Sequence, residues 1–113
     1  MALVNGKAIF DINTKGELSG GTFEGKFVLK LFPSLKDRQN IAVEFSKRNL
    51  GNDSDFDTEQ MTKAVCELIV LTEESPEWFK NGSVWELVDL SPIVAIKEGL
   101  EAAQKEHMEL LNK

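Results

Sequence analysis

The sequence is poor in the residues that staple small domains or carry metal and redox chemistry. Its 113 residues include one cysteine, one histidine, three prolines and no tyrosine. Because the single cysteine, Cys66, cannot form an internal disulfide, a disulfide framework is excluded and a reducing cytosol is expected. A chain of this length buries a sufficient core without disulfides or metals, so we expect a single domain over residues 1–113.

Long apolar runs and an excess of positive charge are also missing. The longest uninterrupted aliphatic run is Leu68–Leu71, and the N-terminus has no long apolar region, so neither a membrane span nor a secretion signal is expected. The 13 basic residues are outnumbered by 19 acidic ones, which gives a net charge of −6. This charge opposes attraction to nucleic acid and anionic lipid, and we expect neither as a partner.

Alternating side chains predict a short antiparallel hairpin or sheet within residues 1–32. Residues 7–12 place their apolar side chains on one side of a strand, and a turn follows at 14–17. The clearest strand pattern covers residues 22–32, where apolar and polar side chains alternate. Pro33 ends this strand, because proline has no N–H to donate to a sheet.

Three main helices are predicted to follow the strands, over residues 34–51, 58–74 and 92–112. Ser34 is the expected N-cap of the first helix, with Asp37 at the positive end of the helix dipole. Gly51 supplies the C-terminal stop of this helix, and Asp57 with Gln60 is predicted to cap the second. The expected fold class is therefore α+β, a short N-terminal antiparallel sheet followed by a small helical bundle.

The second helix has the strongest amphipathic pattern, and we expect the core to form around it. One stripe recurs at helical spacing and is predicted to be buried: Met61, Ala64, Val65, Leu68, Ile69 and Thr72. The terminal helix has a comparable stripe, which either packs on the domain or forms a coiled coil, so a homo-oligomer is an open alternative. Its residues are Ile93, Ile96, Leu100, Ala103, His107 and Leu110. Gly99, at the edge of that stripe, is expected to permit close approach of another backbone.

No arrangement of residues supports reaction chemistry, and no catalytic, cofactor-binding or metal-binding residue is predicted. One acidic loop alternates like the first ligands of a calcium site: Asp53, Asp55, Asp57 and Glu59. The glycine and the bidentate glutamate that such a site requires are absent, so this segment is interpreted as a solvated loop and helix cap. Cys66 is interpreted as a residue flanking the core and His107 as a partly buried helix residue, in preference to a catalytic pair.

Large apolar side chains after the second helix are more numerous than one short segment can hide. They include Val88 and Leu90. A partner-binding surface is predicted from Val70, on the face of the second helix opposite its stripe, together with three residues that follow the helix: Trp78, Phe79 and Trp85. The alternative is that the tryptophans cover the end of the helical core.

Four segments, taken in order, carry a resemblance to a known family. They are the strand Phe23–Lys30, the helix that starts after Pro33-Ser34 and ends at Leu50-Gly51, the helix Cys66–Val70 followed by Ser75-Pro76-Glu77-Trp78-Phe79, and Asp89-Leu90 before the last helix. In this order they resemble the small tail assembly chaperones of long-tailed bacteriophages. The resemblance covers the chain from Phe23 to its C-terminus.

This resemblance implies a non-catalytic protein of the host cytoplasm that binds the tape measure protein and keeps it soluble. It also implies help in recruiting tail tube protein, and absence from the mature virion. A net negative charge combined with apolar grooves fits such a role physically. The alternative is a structural phage tail or head–tail joining subunit that is retained in the virion.

Overall fold

The structure, a computed structural model, describes residues 2–48 and 55–112. They fall into two units, one combining Met1–Leu31 with Thr72–Lys113 and the other comprising Phe32–Leu71. The fold is α+β, as the sequence predicts, with three helices and an antiparallel sheet within the described residues.

The first unit is built on a four-stranded antiparallel sheet in the order β1-β2-β3-β4. Its strands are β1 (Ala2–Val4), β2 (Lys7–Lys15), β3 (Thr22–Lys30) and β4 (Thr72–Glu74). β2 and β3 pair along their whole length, with Lys7 opposite Lys30 and Lys15 opposite Thr22, which confirms the predicted hairpin. The predicted turn at 14–17 is wrong, because β2 continues to Lys15 through its pairing with β3. The alternation of apolar side chains therefore fixes which face of this hairpin is buried.

The sequence does not predict the two outer strands of the sheet, β1 and β4. β1 is short, and it folds back onto β2 through Asn5 and Gly6, whose φ angles are 53° and 76°. β4 pairs with β3 at Leu29 and Val28, across a local irregularity in the ladder. Strands of three residues are too short to show an alternating pattern, so their formation depends on the neighbouring strand.

Helix α3 (Ser91–Leu111) packs on β2 and closes the core of the first unit. Its buried residues are Pro92, Ile93, Ile96, Leu100 and Ala103, which confirms the N-terminal part of the predicted stripe. His107 is half-buried and Leu110 is exposed, so burial of the stripe decreases towards the C-terminus. Packing of α3 on the sheet agrees with the first of the two alternatives for its stripe, packing on the domain.

Gly99 makes the close packing of α3 on β2 possible. A Cβ atom at this position would lie 2.6 Å from Cε2 of Phe10, whose ring is buried. The prediction of a close approach at Gly99 is correct, but the group that approaches is an aromatic ring and not another backbone. The same ring stacks on Phe27 of the adjacent strand at a centroid distance of 6.1 Å.

The second unit contains helices α1 (Leu35–Lys47) and α2 (Phe56–Leu71), which pack on each other. The predicted start of α1 is confirmed by a reciprocal cap between Ser34 and Asp37. The Asp37 N–H donates to the Ser34 hydroxyl at 3.0 Å, and the Ser34 N–H donates to the Asp37 carboxylate at 2.9 Å. The predicted stop at Gly51 lies outside the described residues.

The predicted bounds of α2 are wrong at both ends. The helix begins at Phe56, and its cap is Asp55, whose carboxylate accepts a hydrogen bond of 2.7 Å from the Thr58 N–H. This bond lowers the pKa of Asp55, and the predicted pair of Asp57 and Gln60 is not the cap. The helix ends at Leu71 and not at residue 74, because the next three residues pair as β4.

The buried face of α2 is rotated from the predicted stripe. Its buried residues are Thr62, Val65, Cys66, Leu68 and Leu71, whereas Met61 is 38% exposed. Burial of Thr62 is possible because its hydroxyl donates to the Thr58 carbonyl at 2.7 Å, so no polar atom is left unpaired. A hydroxyl that hydrogen-bonds within the helix is not visible to a pattern based on hydrophobicity.

The contact between Gly99 and Phe10 gives a first testable prediction. Replacing glycine by alanine in a helix normally stabilises it by about 1 kcal/mol. In Gly99→Ala we expect the reverse, a loss of about 1–2 kcal/mol in the free energy of unfolding, because the buried ring must move. Urea denaturation measures this, with the exposed neighbour Lys97→Ala as the control; a stabilised Gly99→Ala protein would contradict the packing.

Candidate partner-binding surfaces

Trp78 and Phe79 belong to an aromatic cluster of the first unit. Phe79 is only 4% exposed, and its ring meets Phe27 edge-on at a centroid distance of 5.4 Å. Trp78 is half-buried and lies 5.2 Å from the ring of Phe23 and 5.6 Å from that of Phe27. These contacts are typical of aromatic residues in a core, where edge-to-face ring pairs stabilise the fold in addition to the burial of apolar area.

Trp78 also covers an edge of the sheet. Its indole N–H donates to the Glu24 carbonyl at 3.1 Å, on the part of β3 that extends beyond the short pairing with β4. Pro76 packs on Gly25, where a Cβ atom would collide with the proline ring. Covering an exposed strand edge prevents unwanted pairing with other chains, so this arrangement gives Trp78 a structural role.

The four residues predicted to bind a partner have different surroundings. Val70 is half-buried on α2 of the second unit, and Trp85 is half-buried in a 3-10 helix, Ser83–Glu86, of the first. Binding through Val70, Trp78 and Trp85 stays a prediction. Phe79 offers a partner almost no surface, because its ring is buried against Phe27.

A far more exposed apolar surface lies at the turn of the β2–β3 hairpin. It is a groove of about 540 Å³ in the first unit, between the turn that joins β2 to β3 and the start of α3. Four of its lining side chains are large, apolar and 49–79% exposed: Leu18, Val88, Leu90 and Val94. We call this surface the apolar groove. Contiguous exposure of this kind marks interaction sites on protein surfaces.

Asp89 holds the two sides of the apolar groove together. Its carboxylate accepts hydrogen bonds from the Leu18 N–H at 2.7 Å, the Ser19 hydroxyl at 2.6 Å and the Ser19 N–H at 3.3 Å. The carboxylate approaches Gly16 where a Cβ atom would stand. Beside it, the Ser91 hydroxyl donates to the Lys15 carbonyl at 3.2 Å. The turn is thereby fixed to a segment some 70 residues away.

The same hydrogen bonds determine the charge state of Asp89. Donation by the Ser19 hydroxyl, and next by the Leu18 N–H, lowers the pKa of the carboxyl below its ordinary value. Asp89 therefore stays ionised at neutral pH although the residue is only 4% exposed. The other charged side chains that line the groove are those of Glu17 and Glu98, so every charged residue of its described lining is acidic.

The sequence predicts only part of this surface. Val88 and Leu90 are among the surplus apolar side chains that it indicates, whereas Leu18 and Val94 are missed. Two local signals point to them: Leu18 is a large apolar residue within a glycine-rich turn, and Val94 lies outside the buried stripe of α3. Both signals indicate apolar side chains that are not needed for the core of the domain.

Cys66 and Asp55 both have structural surroundings. Cys66 is fully buried, and burial raises the pKa of its thiol, which disfavours the nucleophilic thiolate. Cys66 is thus a central residue of the buried face of α2 and not a flanking one. Asp53 lies outside the described residues, and Asp55 is used as the cap of α2. Among the described residues, no group of three or more potential ligands could hold a metal ion.

Comparison of the chain with protein-family models, with curated proteins and with solved structures finds no match. Within residues 2–48 and 55–112, no helix combines the length and the apolar character needed to cross a bilayer.

The surroundings of Trp78 predict a graded effect of its replacement. Trp78→Phe retains a ring but loses the hydrogen bond to Glu24, and should lower the free energy of unfolding by about 1 kcal/mol. Trp78→Ala also loses the contacts with Phe23 and Phe27, and should cost about 3 kcal/mol. Chemical denaturation of the three proteins measures the series. Unchanged stability in Trp78→Ala would assign this side chain to a partner surface instead.

The low pKa of Asp89 predicts how stability depends on pH. A carboxyl whose pKa is lower in the folded than in the unfolded protein stabilises the fold above its ordinary pKa of about 3.8, and this contribution is lost as the pH falls below it. We expect Asp89→Asn to melt at a lower temperature than the unmodified protein at pH 7. The difference should shrink between about pH 5 and pH 3. Thermal scans test this, with the exposed residue Glu101→Gln as the control; parallel pH curves for Asp89→Asn and the unmodified protein would contradict it.

Proposed function

We propose that this protein is a non-catalytic binding protein that acts as a tail assembly chaperone of a long-tailed bacteriophage. The observation that carries the binding role is the apolar groove, where four large side chains stay exposed on a chain with a net charge of −6. A monomer that exposes neighbouring apolar groups in this way has a surface suited to another protein. The resemblance of the sequence to tail assembly chaperones supports the particular role.

The proposed partner is the tape measure protein, a long and largely helical chain that requires protection of its apolar surface before the tail forms. A chaperone for such a chain needs an exposed apolar surface and enough net charge to keep the complex soluble. It requires no reaction centre. Recruitment of tail tube protein, action in the host cytoplasm and departure before the virion matures are parts of the same proposal.

Co-expression with the tape measure protein encoded beside it tests the function. We expect the tagged protein to raise the soluble fraction of the tape measure protein several-fold, and the two to co-purify, because an apolar helix bound by an acidic protein no longer aggregates. Expression of the tape measure protein alone provides the reference.

Mass spectrometry of purified virions provides the second measurement. A chaperone is expected in the infected cell and not in the particle. If solubility is not improved and the protein is found in mature particles, the proposal is overturned and the protein is a structural tail or head–tail joining subunit.

A further inference from the structure

We propose that the apolar groove is the docking site for one amphipathic helix of the partner, and that it selects a helix with lysine or arginine beside its apolar stripe. The inference deepens the proposed function and rests on it, because it assigns the surface and the partner chemistry through which a chaperone acts. It arises from the exposure, hydrogen bonding and charge of the groove. Each of these observations restricts the occupant in a different way.

The apolar side chains require an apolar occupant. Leu18 is 79% exposed, Val88 65% and Leu90 55%, and all three line the same groove. They come from both sides of it, since Leu18 belongs to the turn after β2 while the others precede α3. Removing such side chains from water together on binding is favourable, in proportion to the apolar surface that is buried.

The apolar lining suits a helical occupant better than an extended one. The β1 strand pairs with β2 only as far as Ile9, so the edge of β2 beyond it is the place where an extended peptide would add a strand through its backbone. The four exposed side chains of the groove offer apolar surface instead. A helix satisfies its backbone internally and presents only side chains, so we assign the groove to a helix.

The charges that line the groove determine which helix binds best. Glu17 and Glu98 are both exposed, and together with Asp89 they are the charged residues of the lining. Cations next to the apolar stripe of a bound helix would meet these carboxylates, whereas an acidic helix would be repelled. A second copy of this chain is disfavoured as the occupant, because its own net charge is −6.

The groove is prepared for binding because its two sides do not have to be assembled. Asp89 ties the turn that contains Leu18 to the segment that contains Val88 and Leu90. A surface that is ordered before binding loses less conformational entropy when the partner arrives. We therefore expect measurable affinity for a simple helical probe, without the rest of the partner.

Three synthetic peptides labelled with fluorescein test the proposal by fluorescence anisotropy with the full chain. The first has leucine at helical spacing with lysine beside it, over about 18 residues, enough to form a helix when bound. The second replaces each lysine by glutamate, and the third is a scrambled version of the first that has no apolar stripe. We expect the first to bind at least tenfold more tightly than either of the others.

Variants of the chain identify the binding surface. The double variant Leu18→Ser, Val88→Ser should weaken binding of the basic peptide about tenfold. Its net charge of −6 is that of the unmodified chain, so non-specific electrostatic attraction of the basic peptide is the same for both proteins. The matched control is Leu35→Ser, Phe56→Ser, two side chains 82% and 72% exposed on the second unit, which should bind as the unmodified chain does. Leu90→Ser, Val94→Ser provides a second groove variant if the first does not fold.

Charge reversal tests the selectivity separately. Glu17→Lys, Glu98→Lys should reduce the preference for the basic over the acidic peptide about tenfold or reverse it, since the apolar lining is intact. The proposal is overturned if the groove variants bind the basic peptide as tightly as the control variant does. It is equally overturned if the unmodified chain binds the scrambled peptide as well, or if it forms a dimer that the groove variants lose.

Co-expression of the groove variants with the tape measure protein separates this inference from the proposed function. If the unmodified chain solubilises the tape measure protein and the folded groove variants do so equally well, the function stands and the docking site is wrong. If the unmodified chain has no effect on the tape measure protein but binds the basic peptide through the groove, the chaperone proposal is wrong and the docking site stands.

Discussion

The continuous pairing of β2 with β3 is the constraint on which the first unit depends. It places Phe10 opposite Phe27, where the two rings stack, and it brings Lys15 opposite Thr22 at the end that carries the turn. One face of the hairpin receives α3, with Gly99 making room for Phe10. The far edge of β3 is covered by Trp78. A shift of register by one residue would turn the apolar side chains to the opposite face and remove all of these contacts.

Two groups of apolar residues around the hairpin serve different purposes. Along the edge of β3 aromatic residues are used for stability, with Phe79 buried and Trp78 hydrogen-bonded to the backbone. At the turn between β2 and β3 the apolar side chains of Leu18 and Leu90 stay exposed, while a buried carboxylate joins the segments that carry them. Stability and recognition are thus assigned to separate groups of apolar residues. Large side chains in a sequence do not by themselves indicate which group they belong to.

The sequence predicts those parts of the structure that depend on residues close together in the chain, and it misses parts that depend on contacts between distant segments. β3, α3 and the first part of β2 are predicted closely, because alternation and helical spacing are properties of consecutive residues. The last residues of β2 are missed, since they are polar and are held in the strand by pairing with β3. The capping box of Ser34 and Asp37 is local too. The end of α2 is missed since Thr72–Glu74 join the sheet only through pairing with β3. The apolar groove is missed because Leu18 and Val88 are neighbours only through Asp89, which no sequence pattern connects to the turn.

The first unit is assembled from two parts of the chain that are separated by the whole second unit, and this affects the order of events during synthesis. The hairpin of β2 and β3 needs only local contacts and can form as soon as it leaves the ribosome. Its apolar face, with Ala8 and Phe10, has no cover until α3 has been made about eighty residues later. Because an isolated two-stranded hairpin is only marginally stable, these apolar residues are exposed on the nascent chain until α3 is available, and slow translation of the last helix would prolong the exposure.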